Sequence, residues 1–161
     1  MVESFTHFWD GPFSQWHPCT FKIDMVRYNC AEQFMMAEKA RLFGDEGVRA
    51  QILATGSPRA HKALGRQVAG FDQATWEAER VEIVVRGNLA KFSQNPEMCA
   101  ALLATGDKTM VEASPYDRIW GVGLRADDSR VHDPERWRGA NLLGEALMKV
   151  RAQLRAERAA S

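Results

Sequence analysis

The spacing of hydrophobic residues predicts a mainly helical protein, because apolar side chains recur every three or four positions over most of the chain. The clearest stripe lies near the C-terminus and consists of Leu143, Leu147, Val150 and Leu154. Local signals mark other helices, since Ser57 followed by Pro58 is typical of a helix N-terminus. The predicted helices cover residues 31–43, 45–55, 58–68, 72–92, 96–105 and a last segment from 141.

Two segments predict short strands. Phe21 and Ile23 alternate with polar neighbours in FKIDMVRY, which favours a hairpin, and TMVEA at 109–113 is a second strand candidate. A chain of 161 residues suits one domain, long enough to bury roughly two thirds of its unfolded surface. We therefore expect an α+β fold, a single domain over residues 1–161 that is mainly α-helical with a few short strands.

The first predicted helix departs from this regular pattern. In AEQFMMAEKA at 31–40, Glu32, Glu38 and Lys39 lie within the broad apolar arc that a helix normally buries. The outward arc would hold Gln33, Ala37, Ala40 and Arg41. We expect Glu38 to have a buried partner such as an arginine.

Glu32, Met36 and Lys39 share one row of this helix with Phe43. Glu32 and Lys39 are about 10 Å apart along the axis, which suits contacts to two parts of one ligand. Apolar neighbours would lower the pKa of Lys39 and supply a neutral amine for attack on a carbonyl or a sugar anomeric carbon. The alternative is a lysine whose stem covers apolar surface while its charge reaches water.

A second candidate region is VEASPYDRIWGVG at 111–123. A turn at SPYD would bring Glu112 and Asp117 together, and paired carboxylates suit glycosidic cleavage. Trp120 offers a flat surface for a base or ribose, and Gly121 allows backbone N–H groups to approach a phosphate. The alternative is a surface turn with Trp120 in the core.

A third candidate region combines GPFSQWHP at 11–18 with WRGANLLG at 137–144. Phe13 and Trp16 are able to clamp an aromatic group. Asn141 either caps the last helix or binds a ligand, and capping is the commoner role of such a residue. The four histidines have no metal-ligand spacing, so we expect no metal.

Composition and charge exclude only a few classes of function. The chain has 21 basic and 21 acidic residues, so its overall charge does not indicate nucleic acid or a membrane surface. Three cysteines fit no disulfide or zinc framework. With no leader pattern and no long apolar run, we expect a soluble cytoplasmic protein with no membrane partner.

Taken in order, these segments resemble the NADAR, or YbiA-like, family. The resemblance covers residues 8–154 and rests on FSQWHP, YNCAEQFMMAEKARLFGD, SPRAHKALGRQV, the run from Trp76 to Phe92, LLATGDKTMVEASPYDRIWGVG and WRGANLLGEALMKVR. It implies an N-glycosidase, a hydrolase that removes ADP-ribose from an ADP-ribosylated base such as guanine. Two alternatives are cleavage of phosphoribosylated intermediates of riboflavin synthesis and non-catalytic binding of ADP-ribose or NAD.

The resemblance also implies roles for individual residues. Lys39 would attack the ribose anomeric carbon and hold the opened sugar as a Schiff base, while Glu32 would hold ribose hydroxyls. Either Glu112 or Asp117 would transfer the proton. The matching ligand-binding positions are Phe13, Ser14, Trp16, Met36, Trp120, Gly121 and Asn141.

The implied partners are an ADP-ribosylated nucleobase or a ribosyl-phosphate small molecule, with no cofactor beyond the ADP-ribose moiety itself. Transient contact with nucleic acid and functional pairing with a guanine ADP-ribosyltransferase toxin are further expectations.

Two positions depart from the family pattern. Met25 replaces a glycine in the hairpin, and Gln15 replaces the asparagine that follows Ser14, which bears on substrate preference.

Overall fold

The computed structural model describes residues 3–161. Within this range the chain forms four short strands, β1 to β4, and six α-helices, α1 to α6. In chain order they are β1 Phe5–Phe8, β2 Phe21–Ile23, β3 Val26–Tyr28, α1 Ala31–Leu42, α2 Glu46–Ala54, α3 Pro58–Gly65, α4 Gln73–Ser93, α5 Pro96–Ala104, β4 Thr109–Glu112 and α6 Leu142–Ala160. The mainly helical α+β prediction is confirmed.

The elements group into two compact units. The first comprises residues 3–14 with Pro96–Ser161, and the second comprises Gln15–Asn95. In the first unit, β1 pairs with β4 in parallel, so that Phe5 lies opposite Thr109 and Phe8 opposite Glu112. Helix α6 packs against β4. Because the strands are parallel, their C-terminal residues Phe8 and Glu112 lie at the same end of the sheet.

In the second unit, the antiparallel strands β2 and β3 form the predicted hairpin, and α1 packs against α2, α3 and α4. Side-chain caps start the surrounding helices. Asp45 Oδ1 accepts a hydrogen bond from the backbone N–H of Val48, and Ser57 Oγ accepts one from Ala60. The prediction of Ser57 as an N-cap is therefore confirmed.

Helix α1 is buried on nearly all sides, which its amphipathic pattern did not predict. Gln33, Ala37 and Ala40, which were assigned to the outward arc, are only 3%, 1% and 0% exposed. The assignment was wrong because three helices pack around α1, whereas an amphipathic pattern assumes one solvent face. Gln33 satisfies its buried amide by donating hydrogen bonds to the backbone carbonyls of Ile52 and Thr55.

Close approach to two glycines holds α1 against its neighbours. A Cβ at Gly87 of α4 would lie 2.5 Å from a ring carbon of Phe34, and one at Gly65 of α3 would overlap the side chain of Met36. The Phe34 ring leaves no room for a Cβ at Gly87, whereas a Cβ at Gly65 would have to displace the flexible end of Met36. The fit therefore sets the register of α1 against α3 and α4.

The buried charge on α1 has the partner expected for it. Glu38 is 8% exposed, and its carboxylate accepts hydrogen bonds from Arg41 Nε and, at 3.3 Å, from Arg86 Nη2. Arg41 lies one turn away on α1 and Arg86 lies on α4. The expectation of an arginine partner is confirmed, but the partners are not buried, because the side chains of Arg41 and Arg86 are 57% and 40% exposed.

The hairpin turn uses two residues in the left-handed region. Asp24 has φ of 50° and Met25 has φ of 70°. Met25 replaces glycine at a position where positive φ is required, and its side chain is 96% exposed. The departure from the family pattern thus leaves the turn geometry in place and introduces local strain at Met25.

Candidate active site

The row of residues on α1 belongs to the second unit. Glu32 is 5% exposed in the first turn of α1, and its backbone N–H donates to the carbonyl of Gln15 at 2.9 Å. Met36 follows one turn later against Gly65, and Lys39 lies in the last turn. Glu32, Met36 and Lys39 are therefore placed along one rigid helix, as the spacing predicts.

Two aromatic rings line the end of the Lys39 side chain. Its Nζ lies 4.8 Å from the ring centroid of Phe71 and 5.5 Å from that of Trp76. Phe71 directly precedes Asp72, whose carboxylate caps α4, and Trp76 lies in the first turns of that helix. The start of α4 thus positions both rings. This contact was not predictable from local sequence, since Phe71 lies 32 positions from Lys39 in a loop.

The electrostatic surroundings lower the pKa of the Lys39 amine. Burial lowers the pKa of Lys39 from its usual value, and the positive charge of Arg66 lowers it further. Glu32 acts in the opposite direction, and the faces of the two rings also attract an ammonium. The net direction is downward, which confirms the predicted pKa shift and is the condition for a nucleophilic lysine.

Gln15, the second departure from the family pattern, lies inside the unit. It is 7% exposed, and its Oε1 accepts a hydrogen bond of 2.7 Å from Asn88 Nδ2 on α4. Its backbone carbonyl also accepts from Glu32 N–H. Gln15 therefore connects the segment before β2 to both α1 and α4, so a change at this position alters the surroundings of Glu32.

The carboxylates of the second candidate region belong to the first unit. Glu112 is the last residue of β4, and its backbone carbonyl accepts a hydrogen bond of 2.9 Å from Val122 N–H. Asp117 lies in the following turn, where its Oδ1 accepts from Ile119 N–H at 2.9 Å and Trp120 N–H at 2.8 Å. The two carboxylates follow one strand end as predicted, but Asp117 also stabilises its own turn.

Gly121 has a packing role that the sequence did not indicate. A Cβ there would lie 3.0 Å from the backbone oxygens of both Glu112 and Asp117. Its own carbonyl accepts a hydrogen bond from Asn141 N–H at 3.1 Å. Trp120, its neighbour, is partly buried. Close packing of the chain at Gly121 therefore explains the glycine, and ligand binding by Trp120 and Gly121 stays a prediction.

Asn141 does not cap α6 through its side chain, so the preferred interpretation of this residue was wrong. It occupies the N-cap position with φ of 55° and makes no side-chain cap. Its Oδ1 instead accepts from Glu112 N–H at 3.0 Å, while its Nδ2 donates to the Met110 carbonyl at 2.9 Å. The 2% exposed side chain thus binds the backbone of β4 and fixes the strand end that carries Glu112.

The N-terminal candidates are divided between the units. In the first, the Phe13 ring packs edge-on against Phe8 with centroids 5.6 Å apart, and Ser14 N–H donates to the Gly11 carbonyl at 3.0 Å. In the second, Trp16 is 41% exposed. A clamp formed by Phe13 and Trp16 stays a prediction, as do the ligand contacts of Ser14.

A buried lysine on α4 was missed. Lys91 is 0% exposed, its Nζ lies 5.0 Å from the Phe92 ring centroid, and burial lowers its pKa to about 8. The nearby thiols of Cys19 and Cys30 act in the opposite direction on that pKa. A lysine in the last turn of a helix normally indicates an exposed position, so the sequence contained no sign of this burial.

Residues 3–161 contain neither a metal-binding cluster nor a membrane-spanning helix. No group of three or more His, Cys, Asp or Glu side chains in that range is arranged to hold a metal ion. No helix in the same range has the length and apolar content needed to cross a membrane.

Comparison with known proteins decides the family. A sequence model of the NADAR domain matches residues 5–155. The chain belongs to the NADAR family. The chain is 47% identical to N-glycosidase R617 of Acanthamoeba polyphaga mimivirus over 147 residues, which cover 88% of this chain and 86% of that protein. It is 30% identical to N-glycosidase YbiA of Escherichia coli strain K12 over 148 residues, covering 92% and 84%.

The fold of this NADAR protein is also similar to a solved structure. The NMR structure of the E. coli protein YbiA aligns with a TM-score of 0.80 and 29% sequence identity, covering 98% of this chain and 89% of that one. The predicted family is thus confirmed by sequence and by fold. The roles of individual NADAR site residues stay predictions.

Proposed function

We propose that this NADAR protein is an N-glycosidase that hydrolyses the bond between ribose and a nucleobase, with Lys39 as the nucleophile. The observation that carries the proposal is the position of Lys39 Nζ on a buried helix, between the rings of Phe71 and Trp76, where burial and the charge of Arg66 lower its pKa. Relatives over most of the chain are named N-glycosidases. The proposed substrate is ADP-ribosylated guanine in nucleic acid.

The proposed reaction begins with the neutral amine of Lys39. Its nitrogen attacks the ribose anomeric carbon, the N-glycosidic bond breaks, and a carboxylic acid donates a proton to the departing base. Opening of the sugar ring gives an imine between Lys39 and that carbon. Water then hydrolyses the imine, which releases the ADP-ribose and restores the amine. Glu32, buried on the same helix as Lys39, would accept hydrogen bonds from ribose hydroxyls.

Glu112 and Asp117 differ in how well they suit the proton transfer. Asp117 Oδ1 already accepts two backbone N–H groups in its turn, so movement of that carboxylate would disrupt the turn. The backbone of Glu112 is held from both sides by Asn141 and Val122, which orients its side chain at the strand end. We therefore assign the proton transfer to Glu112 and the support of the turn to Asp117.

Trapping of the imine tests the mechanism directly. The protein is incubated with an oligonucleotide carrying ADP-ribosylated guanine in the presence of borohydride, and the adduct is located by peptide mass spectrometry. We expect a reduced sugar adduct on Lys39 and release of intact guanine-containing strand without reductant. Lys39→Arg keeps a positive charge but cannot form the imine, so it should abolish both signals.

Lys62→Arg is the matched control, because Lys62 is an exposed lysine on α3 of the same unit and should retain full activity. Full activity of Lys39→Arg would disprove the covalent mechanism. A parallel assay with a phosphoribosyl-amine substrate distinguishes the riboflavin-pathway alternative. Binding of ADP-ribose without release of any base would indicate the non-catalytic alternative.

A further inference from the structure

An exposed aromatic pair lies on the first unit, outside the residues assigned to the reaction. The rings of Trp9 and Tyr116 are in contact, with centroids 5.9 Å apart and planes tilted by 49°. Trp9 is 53% exposed and Tyr116 is 84% exposed. Large aromatic side chains are normally buried, so two adjoining rings with most of their area in solvent indicate a binding surface.

The fold holds the two rings at the same end of the sheet as Glu112. Trp9 directly follows β1, and Tyr116 lies in the turn after β4. The backbone around them is fixed, because Ala113 N–H donates to the Phe8 carbonyl at 2.7 Å and Tyr116 N–H donates to Ser114 Oγ at 3.3 Å. The aromatic pair is therefore a positioned feature of the strand ends and not part of a long loose loop.

Positive charge accompanies the rings. Arg118 is two residues beyond Tyr116 in the same turn, and Arg118 Cγ and Arg138 Cβ each lie 3.1 Å from the position of a Cβ built at Gly123, so both side chains begin near Gly123. Both arginines are exposed, and within residues 3–161 neither forms an ion pair with a carboxylate. Exposed aromatic rings with exposed arginines in the same unit match single-stranded nucleic acid, whose unpaired bases stack and whose phosphates attract arginine.

We propose that Trp9 and Tyr116 form a stacking surface for an unpaired base of single-stranded nucleic acid, with Arg118 and Arg138 attracting the phosphates. This proposal rests on the proposed function, because single-stranded nucleic acid would be the molecule that carries the ADP-ribosylated base. It selects single-stranded nucleic acid over a free ribosyl phosphate or a duplex. A duplex keeps its bases stacked on one another, which leaves none for the protein.

Binding of an unmodified oligonucleotide tests the surface without any turnover. A fluorescein-labelled single strand of mixed sequence is titrated with the full-length protein at low salt, and anisotropy gives Kd. We expect the double variant Trp9→Ala with Tyr116→Ala to weaken binding by about tenfold. Tyr116→Phe keeps the ring and should retain wild-type affinity. The same strand annealed to its complement should bind more weakly and without dependence on the two rings.

The charge contribution has its own matched pair of variants. Arg118→Gln should reduce the slope of log K against log salt by about one. Arg27→Gln, at an exposed arginine on β3 of the other unit, should leave the slope unchanged. Circular dichroism melts confirm that each variant is folded. Unchanged affinity of the double alanine variant, or equal ring dependence for duplex, would overturn the proposal.

The two proposals fail in different ways. If the aromatic surface is wrong, base release from ADP-ribosylated guanine proceeds with the same KM in the double alanine variant and wild type. If the glycosidase is wrong, no base is released by any chain, yet oligonucleotide binding still depends on Trp9 and Tyr116. A change of oligomeric state in the double variant with unchanged oligonucleotide affinity would assign the surface to self-association and overturn the proposal.

Discussion

Replacement of the buried lysine Lys91 should stabilise the protein in a pH-dependent way. Its pKa falls from 10.5 to about 8 in the folded chain because burial disfavours the charged form. By linkage this difference corresponds to a destabilisation on the order of 3 kcal/mol at neutral pH. Between pH 8 and pH 10.5 the unfolded chain binds more protons than the folded chain, so this destabilisation shrinks as the pH rises.

Lys91→Met keeps much of the side-chain volume and removes the titration. We expect the free energy of unfolding of Lys91→Met to exceed that of wild type at pH 7, and the excess to fall towards pH 10. Urea unfolding followed by circular dichroism at both pH values measures this. Burial also raises the pKa of Cys30, to about 11. Burial raises the pKa of the Cys19 thiol as well, whereas Lys91 lowers it, so Lys91→Met also removes this stabilisation of the thiolate at high pH, and the effect acts in the same direction as the loss of the lysine titration.

Lys149→Met, at an exposed position of α6, is the control and should show no pH-dependent difference from wild type. The same stability difference between Lys91→Met and wild type at pH 7 and pH 10 would refute the reasoning. It would mean that Lys91 has the same pKa in the folded and unfolded chains.

Three further predictions concern the supports of the fold. Met25→Gly should raise the free energy of unfolding by about 1 kcal/mol, because glycine tolerates positive φ; a lower melting temperature in a thermal scan would contradict this. Glu38→Gln should destabilise the protein by roughly 1 kcal/mol in urea unfolding, since a buried carboxylate loses its charge towards two partly exposed arginines; an unchanged midpoint would show that the two ion pairs contribute nothing. Asn141→Ala should cost about 2 kcal/mol by leaving backbone groups of β4 without side-chain partners, and an unchanged melting temperature would show that other groups replace them.

Helix positions were predictable where local chemistry sets them. The sequence predicts helix starts at Ser57 and Asp72. Each of these side chains accepts a hydrogen bond from a backbone N–H in the first turn of its helix. The apolar stripe from Leu143 to Leu154 likewise predicts a buried helix face, and its four residues are 0% to 4% exposed. Capping and helical periodicity depend on residues three or four positions apart, so they can be recognised from a single sequence.

Features set by packing were not predictable in the same way. The burial of Gln33 and Ala40 depends on three helices that surround α1, and the burial of Lys91 depends on the elements packed against α4. Asparagine commonly caps helices, which made capping the commoner of the two roles considered for Asn141, but its side chain binds a strand distant in sequence. Phe71 and Trp76 approach Lys39 through the same long-range packing.

The glycine contacts of α1 bear on how the site tolerates sequence change. Rotation or sliding of α1 would drive Phe34 into the backbone of α4 at Gly87 and Met36 into that of α3 at Gly65. The direction in which Lys39 points is therefore determined by two residues on other helices that have no side chain and perform no chemistry. Variants at Gly65 or Gly87 should behave like damaged nucleophile variants, although every residue assigned to the reaction remains present.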